Sequence, residues 1–152
     1  MEYRLALSKD LPNWLEVAAD VGSVMRVPNM PYNLDFITYA TRKLMQGNAI
    51  MAWDSENMQC VGFIGFSRHN NSITWLGVKQ QYQNRGIGST LLLSALHELD
   101  TSQQITVNTY PHDYIPGIPA RTLYFKHGFV ETGNNSFFVD QLEMVTLTLT
   151  PQ

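Results

Sequence analysis

The reading turns on residues 72–99, SITWLGVKQQYQNRGIGSTLLLSALHEL. Ile73-Thr74-Trp75-Leu76-Gly77-Val78 is short, apolar and rich in β-branched and aromatic residues, which predicts a strand. A polar segment from Lys79 to Arg85 follows. Beyond it Ile87, Leu91, Ala95 and Leu99 recur at helical spacing, with Leu92 and Leu96 on the same side. That pattern predicts an amphipathic helix starting at or near Gly86. The unit is a strand, a glycine-bearing turn and a helix.

Such a unit suits an anion. The first N–H groups of a helix lack intrahelical partners, and the macrodipole places about +0.5 charge there. Gly86 and Gly88 carry no Cβ to hold a phosphate away from those groups, and Arg85 adds a forked cationic donor. The expected guest is a phosphate or pyrophosphate.

Three phosphate-binding loops compete for this stretch. The dinucleotide fingerprint needs a third glycine where Leu91 stands, and an acid near position 106, where Thr106 stands. The P-loop needs Gly-Lys-Ser/Thr, which the chain does not contain. What remains is Gln83-x-x-Gly86-x-Gly88 behind a strand ending in Leu76-Gly77-Val78. A bare Gly-x-Gly also marks a tight turn that uses glycine only for its backbone freedom, so the context decides.

That context has a second part. The whole stretch 83–88 resembles the coenzyme A loop of the GNAT N-acetyltransferase superfamily. Downstream, Ala120-Arg121-Thr122-Leu123-Tyr124-Phe125-Lys126-His127-Gly128-Phe129 resembles that superfamily's Ala-x-x-Leu-Tyr-x-x-x-Gly-Phe segment. The predicted order of elements is similar too, so the resemblance spans essentially the whole chain.

The resemblance implies a GNAT-like α/β (α+β) fold. Its mixed, mostly antiparallel central sheet has about six to seven strands, flanked by about four helices, in one domain over residues 1–152. It implies acetyl-CoA as co-substrate and no metal. Main-chain N–H groups of Gln83, Asn84, Arg85, Gly86, Ile87, Gly88 and Ser89 would hold the pyrophosphate. The strand through Leu76, Gly77 and Val78 would be bulged and splayed from strand 104–110, freeing main-chain groups for the pantetheine arm. The Val78 N–H would polarise the thioester carbonyl, and Gly77 is a candidate bulge residue in its own right. Tyr124 would protonate the departing thiolate. A phenol with pKa near ~10 is protonated at neutral pH and can do so, although an unplaced tyrosine on an amphipathic helix is as readily a core residue.

Two departures from the pattern stand out. The family's pantetheine-contacting asparagine falls at Gly117, which leaves Asn108 as the candidate for that contact, and loop 111–119 is rich in proline. The general base is not marked either, since Ile73–Val78 carries no acid. His112 and Asp113, at the exit of strand 104–110, are candidates, His69 is a weaker one, and ordered water is another route. These gaps keep a second function open: a catalytically silent acyl-CoA-binding sensor or regulatory module. A nucleotide-binding domain outside the family is a third reading, and it requires ATP or NAD to bind more tightly than coenzyme A.

Along the chain, EYRLAL (2–7) alternates as a first strand. A helix opens at Leu11-Pro12 with Trp14, Leu15 and Ala18 on its apolar face, ended by Gly22 or the Val27-Pro28 pair. A loop spans 26–33, and a second helix runs from Leu34 to Met45. Residues 49–54, 59–69 and 73–78 form a meander. Strand 104–110, a short helix 120–127 ending at Gly128, and strands 129–131 and 137–148 complete the chain.

With 152 residues the chain is long enough to bury roughly 70% of its unfolded surface. A net charge of −3 argues against a general nucleic-acid partner. The lone Cys60 excludes an internal disulfide, and its place in a strand disfavours an acyl-cysteine route. No stretch approaches the ~18 apolar residues of a membrane span, and MEYRLALSKD lacks a signal-peptide core, so a cytoplasmic protein with no membrane partner is expected. The acceptor is an amine on a small molecule or a protein. Met25, Met30, Tyr32, Tyr110 and Tyr114 predict a partly apolar, aromatic entrance, and no acidic patch suggests a polyamine. The alternating carboxy-terminal strand is a candidate for pairing two copies in a homodimer.

Overall fold

Ala49-Ile50-Met51-Ala52 is apolar at every position because both faces of its strand are covered. This strand, β2 (Ala49–Asp54), lies beside β1 (Glu2–Leu5) and β3 (Gln59–Ser67) in a sheet of seven strands. β4 (Ser72–Val78), β5 (Ile105–Thr109), β7 (Leu142–Leu149) and β6 (Val130–Val139) follow, in the spatial order β1-β2-β3-β4-β5-β7-β6. Every neighbouring pair is antiparallel except β4 and β5. The computed structural model describes residues 1–27 and 29–151, with the side chains of residues 134–136 left out. Pro28, half of the expected helix stop, lies outside the described residues.

Four helices cover the two faces. On one face α1 (Leu11–Val21) and α2 (Leu34–Gln46) pack through Trp14, Val17, Ala18, Phe36 and Ala40 onto Met51 and Phe63. The fully buried Trp14 ring stacks on Phe63 at 4.7 Å and meets Phe36, Tyr39 and Trp75 edge-on. On the other face α3 (Ile87–His97) and α4 (Ile118–Lys126) bury Leu91, Leu92, Ala95 and Tyr124 against Ile64, Ile73, Val107 and Leu147. Among the described residues no helix is long and apolar enough to cross a membrane.

Two predicted boundaries move, and the pairing expected of the last strand changes. α4 opens at Ile118 rather than Ala120, because Pro119 is tolerated in a first turn and a 3-10 turn at Ile115–Gly117 leads into it. The single strand expected over 137–148 instead spans the end of β6, a turn and most of β7. It folds back at Asp140 and Gln141, both with positive φ (46° and 70°). That is a two-residue primed turn without glycine, so the usual turn signal is missing from the sequence. Finally, β7 is paired on both sides, by β5 and by β6, and cannot extend the sheet into a second copy. The sheet edges are β1 and β6.

Candidate active site

The parallel pair β4 and β5 touches at only two register positions, Ser72 with Thr106 and Ile73 with Val107. Beyond Ile73 the strands part. The cause is local to β4, where the register against β3 jumps from Gly65–Trp75 to Phe66–Ile73 and leaves Thr74 unmatched. Thr74 is therefore the bulge, and Thr74 and Trp75 both turn toward α1 and α2. Gly77 was the expected bulge residue; it instead lies in regular pairing opposite Phe63. Its missing Cβ makes room for the Trp75 ring, which would lie 2.6 Å from such an atom.

The main-chain groups of β4 follow from that ladder. The Lys79 N–H donates to the Val61 carbonyl, so Val78 and Gly62 form a non-hydrogen-bonded pair. By alternation the N–H and C=O of Leu76 and Val78 point away from β3, into the opening left by β5. The Val78 carbonyl there accepts from Gln83 Nε2 at 3.2 Å.

The opening widens into a cavity of about 1000 Å³. Leu76, Gly77, Val78, Gln83, Asn84, Gly86, Ile87, Gly88, Ser89, Asn108 and Tyr124 all line it. Arg85 does not; its guanidinium lies over the Tyr82 ring, 4.9 Å from the centroid. The turn into α3 alternates through left-handed positions at Asn84 (φ 65°) and Gly86 (φ 79°). A Cβ at Gly86 would meet nothing within 4 Å, so glycine is there for its φ and leaves open space before the helix N-terminus. Gly88 serves packing instead: its missing Cβ admits the Leu123 side chain of α4, which would approach to 3.2 Å.

Tyr124 reaches the cavity from α4 while 4% exposed, edge-on to Phe129 at 5.6 Å. Burial pushes its phenol well above the usual tyrosine range, with a smaller push from the Tyr39 phenol. Among the described residues its hydroxyl has no hydrogen-bond partner. Asn108 lines the cavity from β5 and its Oδ1 accepts from the Thr146 hydroxyl at 2.9 Å.

The sequence did not single out Lys126 or Met144, which also line the cavity, or His127, whose Nε2 lies 3.1 Å from Ser89 Oγ. Burial and the neighbouring Lys126 hold the His127 ring below its ordinary pKa. These groups carry no local signal, because they meet the site only through long-range packing. Met25, Met30 and Tyr110 line the entrance as expected, whereas Tyr32 stands 82% exposed away from it. Tyr114 acts as a strap. Its hydroxyl donates to the Val24 carbonyl at 2.6 Å, beside the Tyr110 hydroxyl, which donates to the Met25 carbonyl. None of the candidate bases reaches the cavity: His112 and Asp113 do not line it, and His69 faces a separate basic pocket with Arg42 and Arg68. Gly117 is wedged against Tyr110.

The split sheet, the αL turn and the tyrosine thus border one elongated opening. The sequence matches the family model for the acetyltransferase (GNAT) domain over residues 34–151. No curated protein matches it. Among solved structures, a GNAT-family acetyltransferase from Bacillus cereus superposes with a TM-score of 0.73 at 14% identity, covering 99% of this chain and 97% of that one. The PaiA N-acetyltransferase of Thermoplasma acidophilum, in complex with coenzyme A, gives 0.69 at 18% identity, with 95% and 96% covered. Diaminobutyrate acetyltransferase from Paenibacillus lautus, in complex with L-2,4-diaminobutyric acid and coenzyme A, gives 0.70 at 17%, with 99% and 94% covered. The structural neighbours share the fold, the family model covers most of the sequence, and the chain belongs to the GNAT acetyltransferase family.

Proposed function

We propose that this acetyltransferase-family chain moves an acetyl group from acetyl-CoA to a primary amine by direct transfer in a ternary complex. The observation that carries the reading is the opening between β4 and β5, with main-chain groups of Leu76 and Val78 facing it, the α3 N-terminus at one end and Tyr124 on its wall. Coenzyme A is bound in two of the neighbouring structures, and the fit here is physical. The open space before Gly86 and the unpaired N–H groups of the first α3 turn suit a pyrophosphate, with Lys126 as a cation on the cavity wall. Leu76 and Val78 offer the edge of a strand to an extended, amide-bearing arm.

Acetyl-CoA supplies the activated thioester; the rest is done by the chain. The Val78 N–H polarises the acyl carbonyl, a donor held by the strand before reaction begins. Tyr124, protonated throughout the physiological range, delivers its proton to the leaving sulfur. Cys60 stays out of the reaction: it is fully buried in β3, away from the cavity, and burial pushes its thiol up to about 12.

Thermal unfolding with acetyl-CoA, coenzyme A, ATP and NAD tests the assignment. A ligand at 100 times its Kd adds roughly 2.7 kcal/mol, a rise of several degrees in Tm for a chain of this size. Selective stabilisation by acetyl-CoA and coenzyme A is the expected result. Stabilisation by ATP or NAD alone, or by none of the four, overturns it.

A further inference from the structure

The acceptor end of the cavity has an unusual lining for a site that takes amines. Val24, Met25 and Met30 contribute to its wall from the segment after α1, and Val139 and Met144 from the β6–β7 hairpin, with Trp75 also in the lining. The two segments are tied together at the rim by Arg26, which pairs with the Asp140 carboxylate at 2.6 Å. Among the described residues no Asp, Glu or His lines any part of the cavity. The positions outside the described side chains, Pro28, Asn134, Asn135, Ser136 and Gln152, hold none either.

Beside Asp140, held by Arg26 at the rim, three further carboxylates are engaged elsewhere. Glu16 pairs with Lys79 at 2.8 Å, Asp20 accepts from the Gln80 N–H at 2.7 Å, and Glu131 pairs with Arg121 at 3.0 Å. The Val24 and Met25 carbonyls each already accept one hydroxyl, from Tyr114 and Tyr110. An ammonium entering here loses its water without gaining a counter-ion, and no side chain is placed to remove its proton. At pH 7 an amine as basic as lysine is unprotonated in only about one molecule in 2500.

We infer that the acceptor is a weakly basic amine on an apolar, aromatic body, an arylamine or arylhydrazine that enters uncharged. This inference rests on the acetyltransferase function proposed above. The wall then contributes apolar burial, the nitrogen attacks without an enzymic base, and its proton leaves to water after the C–N bond has formed.

Aniline and cyclohexylamine match in size and differ in charge at neutral pH, so they decide the matter. With saturating acetyl-CoA at pH 7, kcat/KM for aniline should exceed that for cyclohexylamine at least tenfold. Between pH 7 and 9 the cyclohexylamine value should climb about tenfold per unit, following its neutral fraction, while the aniline value stays flat. Calorimetric binding of the same two amines to the protein reads the preference without turnover. Val24→Glu, on a half-exposed wall position, supplies the missing counter-ion and should reverse that binding preference. Equal or tighter binding of cyclohexylamine, or preferred turnover of spermidine or a lysine peptide at pH 7, overturns the inference. Acetyl-CoA-induced stabilisation in the same preparation shows separately whether the cofactor assignment stands.

Discussion

Tyr124 holds its phenol against apolar neighbours, and that burial favours its protonated form, which the proposed acid role requires. Tyr124→Phe removes one oxygen atom and should lower kcat by about 10²-fold or more, with acetyl-CoA binding and Tm little changed. An unchanged kcat would place the leaving-group proton elsewhere. A second residue governs stability rather than chemistry. The Tyr82 hydroxyl and Asn57 hydrogen-bond the Asp54 carboxylate and hold it at about 2, below its ordinary 3.8. A depressed pKa stabilises the fold fully above the ordinary carboxylate value, and that contribution is lost as pH falls through about 2. Urea unfolding should therefore show Asp54→Asn less stable than wild type at pH 6, with the gap closing near pH 2.

At the level of elements, the two loop glycines separate cleanly. Gly86→Ala forces a Cβ onto a left-handed residue and should cost roughly 1–2 kcal/mol by chemical denaturation. Gly88→Ala keeps ordinary helical geometry and only nudges the mobile end of Leu123, so its cost should be smaller. The strand–turn–helix around these glycines was legible because its signals are local: alternation, glycine and a 3.6-residue stripe all lie within 28 residues of chain. Tyr124 was legible through its motif alone. The bulge was misplaced by three residues, onto Gly77, because a classic-type bulge at Thr74 needs no glycine, only a partner strand whose register shifts. The Asp140-Gln141 turn escaped for a similar reason, being set by the β6–β7 ladder and not by turn residues. The apolar acceptor wall was half legible: Met25 and Met30 were named, but Val139 and Met144 arrive from a hairpin more than 100 residues away.

For the molecule as a whole, the two helical layers do different work. The α1–α2 layer is anchored by the buried Trp14 stack, and Trp14→Ala should cost about 3–5 kcal/mol in urea unfolding. The α3–α4 layer flanks the opening, which divides the seven strands into a set of four and a set of three joined by two register pairs. An ordinary open sheet has two edges to guard against stray pairing. This one has four, since β4 beyond Ile73 and β5 beyond Val107 each present unmatched backbone inward. A bound coenzyme arm would act as a removable eighth strand. If the proposed coenzyme arm lies there, one ligand would cover both inner edges at once, and the sheet would be continuous only in the bound state.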